Sequence, residues 1–104
     1  MNETFKQQVF EIIKMIPIGR VTTYGAIAKA VGFPNHSRYV GNALRNYNED
    51  FPAHRVCSAC GIISAESCIP KFTEKLAKEG VTVKGNKIQN FKQVFWNPLE
   101  EINL

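Results

Sequence analysis

In the run Phe51-Pro52-Ala53-His54-Arg55-Val56, a proline and a small residue lead into a histidine, an arginine and an apolar residue that could begin a strand. His54 is the group here that can move a proton near neutral pH. Its neighbour Ala53 offers no lone pair, so the nucleophile that such a histidine would activate is missing. Pro52 fixes its own φ and biases Phe51 away from helix, which predicts an extended segment with Ala53 and His54 on opposite sides, the rim and floor of a site. A second chemistry is metal binding. Cys57 and Cys60 form a C-x-x-C, and with His54 and Cys68 they put four potential zinc ligands within fifteen residues. The competing reading of Cys57 is a small buried hydrophobe.

A third signal is charge. From Lys14 to Asn48 the chain carries Lys14, Arg20, Lys29, Arg38 and Arg45 and no acid, which suits either a polyanion or a merely solvated helical surface.

The elements that must position these groups follow from apolar spacing. Phe5, Val9, Ile12, Ile13 and Ile16 predict an amphipathic core helix over Thr4 to Ile16, with Thr4 and Gln7 as a capping box and Pro17 ending it. A turn at Gly19 to Thr23 leads into a short helix from Tyr24 to Val31, stopped by Gly32. Phe33-Pro34-Asn35 connects it to a second helix from His36 or Ser37 to about Tyr47. Arg38 and Arg45 then lie two turns apart, and the pair reads as helix-turn-helix. Val56 to Ile63 has the pattern of two short strands about a turn, a wing. A helix with Pro70 in its first turn runs to Glu79 and Gly80, and Val81 to Gln89 forms a hairpin about Lys84-Gly85-Asn86. Phe91, Val94, Phe95 and Trp96 are apolar enough to pack back on the body. The expected class is mainly α with small β hairpins, a winged helix-turn-helix DNA-binding domain over residues 1–104.

Taken together, these blocks resemble a known family. Pro52-Ala53-His54-Arg55-Val56 is similar to the Pro-Cys-His-Arg-Val signature of the O6-alkylguanine-DNA alkyltransferases, with Ala53 where their alkyl-accepting cysteine stands, as in alkyltransferase-like proteins. Ile16 to Gly25, Ala28 and Ser37 to Arg45 match in order, and the likeness runs roughly from Phe5 to Gly85. Val94-Phe95-Trp96-Asn97-Pro98 looks like the tail of a bacterial subgroup that carries alanine. The resemblance implies an O6-alkylguanine sensor that extrudes the base without repairing it and hands it to nucleotide excision repair. Tyr24 would crowd the phosphate 3′ to the lesion, and Arg38 would fill the gap left in the stack. Thr23, Ser37 and Arg45 would meet the backbone. Leu44, Pro52, Ala53, His54, Arg55, Val56 and Ile63 would line the lesion pocket with Tyr24. His54 and Glu79 would remain as the vestige of a proton relay, and Asn46 or Asn48 would brace the recognition helix.

The same likeness argues against zinc, because the positions of Cys57 and Cys60 are not metal ligands in the transferases. It also argues against alkyl transfer to Cys57, Cys60 or Cys68, none of which stands between the proline and His54. A zinc-stabilised DNA-binding module that flips no base is the remaining alternative. The segment Ser64 to Cys68 departs from the transferases' glycine-rich loop.

Length and composition bound the rest. A chain of 104 residues with a hydrophobic share of 44% and a net charge of +4 is expected to form one domain. No run approaches the ~18 apolar residues of a membrane span. Asn2, Glu3 and Thr4 do not open a secretory leader, and three cysteines suit no disulfide framework. The expectation is a cytoplasmic monomer, nucleoid-associated when bound to DNA, without cofactor.

Overall fold

A computed structural model describes residues 3–45, 52–64 and 66–101. The first helix, α1 (Glu3–Met15), turns Val9 and Ile13 fully inward at the spacing of one helical turn. Burying each such side chain contributes about 1.5–3 kcal/mol. Thr4 lies inside the first turn rather than ahead of it, so the capping-box assignment of Thr4 and Gln7 does not hold.

Thr22–Thr23 is a two-residue strand, β1, and α2 (Tyr24–Ala30) begins directly from it. Thr23 caps α2, its Oγ1 accepting the Ala26 N–H at 3.0 Å. Gly32, at φ +90°, and the Phe33 N–H bonded to Ala28 O at 2.9 Å turn the chain into α3 (Ser37–Arg45). α2 and α3 pack closely against each other, as expected of a helix-turn-helix. Tyr47, Asn46, Asn48 and Phe51 lie outside the described residues.

The wing differs from the sequence expectation. Val56–Cys57 (β2) does not fold back on Ile62 and Ile63 but pairs in parallel with β1, Thr22 opposite Val56 and Thr23 opposite Cys57. Pleating sends the neighbours Val56 and Cys57 to opposite faces, and each enters a different core cluster. One cluster gathers α1, α2, α3 and Trp96, and the other gathers Val21, Ile63, Leu76, Val81 and Ile88. The return of the wing is a single bridge, Ser58 N–H to Ile62 O at 2.7 Å, around a tight turn with Cys60 at φ +65° and Gly61 at φ +82°.

α4 (Ile69–Lys78) carries Pro70 in its first turn and ends at Glu79 and Gly80. β3 (Val83–Lys84) and β4 (Lys87–Ile88) are antiparallel, with Val83 opposite Ile88 and Lys84 opposite Lys87. The turn is therefore Gly85-Asn86 alone, and Lys84 belongs to the strand. The tail packs back as α5 (Phe91–Val94) and α6 (Pro98–Glu101), with Val21 bridged to Phe95 and the Trp96 N–H bonded to Val21 O at 2.7 Å. Arg20 clamps it, donating to Phe95 O at 2.6 Å and Val94 O at 3.1 Å and pairing with Glu101 at 3.0 Å. Among the described residues no helix is long and apolar enough to cross a membrane.

Candidate nucleic-acid interface

Residues 53–55 form a single 3-10 turn, not the extended segment that Pro52 predicts. The Arg55 N–H reaches back to Pro52 O at 3.0 Å. Adjacent side chains of an extended strand point to opposite faces, whereas His54 and Arg55 here reach the same carboxylate. His54 Nε2 lies 2.6 Å from Glu79 Oε2, and Arg55 Nε and Nη2 donate to the Glu79 carboxylate at 3.0 and 2.9 Å. The Gly19 N–H completes the set at 3.0 Å, and Arg55 Nη1 donates to Ile16 O at 3.0 Å. One carboxylate thus ties the end of α4, the turn after α1 and the 53–55 turn together. Arg55, which the resemblance places among the pocket-lining residues, anchors the 53–55 turn through Glu79 and Ile16 O.

Electrostatics fix the protonation of this cluster. Burial pushes the Glu79 carboxyl up, but the hydrogen bonds from Arg55, Gly19 and His54 outweigh it and hold it at about 2. An ionised carboxylate only accepts, so His54 Nε2 carries the proton toward it. Burial lowers His54 below its ordinary 6.5 in spite of Glu79, which leaves the neutral ring with a bare Nδ1. That Nδ1 is buried and finds no partner among the described residues. Ala53, the preceding residue, is half-buried and carries neither a thiol nor a hydroxyl.

The sign of the pH dependence follows. Both groups have folded values below their unfolded ones, so both contribute stability above the unfolded value that is lost on acidification. The melting temperature should hold above pH 6.5, fall as His54 is forced to charge, and fall again from pH 4.5 toward 2 as Glu79 is protonated. Thermal melts of the wild type and Glu79→Gln between pH 8 and 3 check this. The variant should lack the steeper decline below pH 4.5, and parallel profiles would contradict the assignment.

The expected contact residues occupy two elements. Tyr24 opens α2, half-buried against the first core cluster, with its hydroxyl 3.3 Å from Ser64 Oγ. Ser37 and Arg38 are exposed at the start of α3, and Arg45 is its last residue. Leu44 packs partly buried on the core. Two expected pocket residues, Val56 at 3% and Ile63 at 2% exposed, pack in the two core clusters. A groove of about 490 Å³ lies elsewhere, lined by Thr4, Phe5, Gln8, Phe33, His36 and Tyr39 among others.

Cysteine chemistry is constrained as well. The Cys57 thiol donates to Thr22 O at 3.3 Å, and burial pushes its pKa up to about 12, which removes it as a thiolate nucleophile at neutral pH. Cys60 is exposed on the wing turn and Cys68 half-buried before α4. Among the described residues no three His, Cys, Asp or Glu side chains are grouped to hold a metal ion.

Sequence reasoning missed two contributors. Gly19 donates its backbone to Glu79 from a φ of +84°, and Ser64 meets Tyr24 across forty residues. The glycine stood inside a family-like block, but nothing local marks either as a partner.

Comparison with known proteins agrees with this architecture. Residues 4–81 match the family described as 6-O-methylguanine DNA methyltransferase, DNA binding domain. The chain is similar to a DNA base-flipping protein of Vibrio parahaemolyticus, 36% identical over 92% of this chain and 99% of that one. It is also similar to alkyltransferase-like protein 1 of Schizosaccharomyces pombe, 30% identical over 92% and 97%. The crystal structure of the S. pombe protein with damaged DNA containing O6-carboxymethylguanine superposes at a TM-score of 0.81, with 28% identity over 94% of this chain and 99% of that one.

Proposed function

The chain belongs to the family of the 6-O-methylguanine DNA methyltransferase DNA-binding domain, and from that premise we propose that it is a non-enzymatic sensor of O6-alkylguanine in double-stranded DNA. It binds the duplex through α2 and α3, extrudes the alkylated base and transfers nothing. The observation that carries the reading is Ala53 beside an intact His54–Glu79 pair. The machinery that orients a proton acceptor is kept, and the atom that would attack the alkyl carbon is absent.

The similar proteins, a DNA base-flipping protein and an alkyltransferase-like protein, support binding and flipping without transfer. Extrusion costs a few kcal/mol of stacking, which Arg38 at the start of α3 offsets in part by filling the vacated position while Tyr24 at the start of α2 crowds the neighbouring phosphate. The protein acts as a monomer in the cytoplasm and leaves removal of the lesion to nucleotide excision repair proteins.

The test uses a duplex with a radiolabelled methyl group on O6 of one guanine. The protein should retain this duplex on a filter more strongly than the unmodified one, and after denaturation all label should remain in DNA. Stoichiometric label on any cysteine would overturn the reading.

A further inference from the structure

The β3–β4 hairpin ends in an arrangement that folding alone disfavours. Lys84 and Lys87 are exposed and directly opposite each other, so two like charges project from the same face of a two-stranded ribbon. Neither has an ion pair with an acid among the described residues, where the pairs are Arg20–Glu101, His54–Glu79, Arg55–Glu79 and Lys78–Glu74. The turn between them is Gly85-Asn86, with Gly85 at φ +63°. A tight turn and a fixed register keep the two residues paired on one face.

The placement of this tip is also specific. Lys87 bridges Ile62, and Asn86 O accepts the Ile63 N–H at 2.7 Å. The next residue, Ser64, meets the Tyr24 hydroxyl. A short chain of contacts therefore carries the hairpin tip to the rim on which Tyr24 stands, and it arrives from the α4 half of the molecule rather than from α3.

We infer that Lys84 and Lys87 form a second phosphate-contacting surface, gripping the backbone of the bound duplex on the side of Tyr24 away from the recognition helix. This rests on the DNA-binding reading above. A polyanion is the partner that relieves a like-charge pair, and each lysine neutralising a phosphate releases condensed counterions. The contact carries no sequence or lesion information, because phosphate is present on every nucleotide. It supplies affinity, while Tyr24 and Arg38 supply the discrimination.

The experiment compares the wild type, Lys84→Gln/Lys87→Gln, Lys84→Arg/Lys87→Arg and a control pair outside the hairpin and the basic segment, Lys6→Gln/Lys92→Gln. Each is titrated onto lesion and unmodified duplexes between 50 and 200 mM salt. The Gln hairpin variant should reduce the salt slope by roughly 1.8 on both duplexes, so that it loses roughly tenfold less affinity across that range than the wild type. Its melting temperature should equal or exceed that of the wild type. The Arg variant should keep the slope. An unchanged slope in the Gln variant, or an equal change in the control pair, overturns the inference. Failure of the wild type to bind either duplex overturns instead the DNA-binding reading on which it rests.

Discussion

Replacing Glu79 by alanine should lower the melting temperature by at least about 12 °C. The side chains of Glu79 and Arg55 are 12% and 14% exposed, so the pair is largely out of water. Removing the carboxylate leaves the guanidinium with Ile16 O, strands the Gly19 N–H and takes away the Nε2 partner of His54. Breaking a buried pair in this way costs about 3–5 kcal/mol, which for a domain of this size is a shift of more than ten degrees. Glu74→Ala is the matched control, because Glu74 lies on α4, the helix that Glu79 caps, but is 72% exposed and among the described residues pairs only with the exposed Lys78. It should leave the melting temperature nearly unchanged. If the two variants melt alike, the cluster around Glu79 is not what holds the 53–55 turn to the body.

The second large effect concerns recognition. If Arg38 fills the space left by the extruded base, its contribution exists only while a base is out. Arg38→Ala should then cost lesion binding roughly tenfold to a hundredfold, about 1.4–2.7 kcal/mol, and undamaged DNA much less. Arg45→Ala should weaken both duplexes alike and reduce the salt slope by roughly 0.9, leaving the preference intact. The two variants change one arginine each on the same helix, so a shared effect of net charge cancels in the comparison. Equal loss on both duplexes for Arg38→Ala would make it one more phosphate contact.

Much of this architecture was legible in the chain. The 3.6-residue spacing of Phe5, Val9, Ile12, Ile13 and Ile16 announced α1, and Thr23 before Tyr24 with Gly32 after the helix announced α2. The ordered family blocks foretold the helix-turn-helix and the pairing of His54 with Glu79. What was not legible is long-range. Pro52 suggested extended backbone, but a carboxylate twenty-four residues beyond Arg55 binds both His54 and Arg55, and a tight turn is the way neighbours meet one acceptor. The parallel pairing of Thr22–Thr23 with Val56–Cys57 was hidden because two-residue strands carry no alternation to read. The Arg20 clamp on Val94 O and Phe95 O was hidden because backbone acceptors have no sequence signature.

The central claim is that this protein distinguishes alkylated guanine by taking it out of the stack. The most direct measurement places 2-aminopurine beside a single O6-methylguanine and beside guanine in otherwise identical duplexes, and follows fluorescence as protein is added. The account predicts a rise on the lesion duplex that saturates with binding, and a much smaller rise at equal occupancy on the unmodified one. Tight binding to both duplexes with no change in fluorescence on either would contradict it.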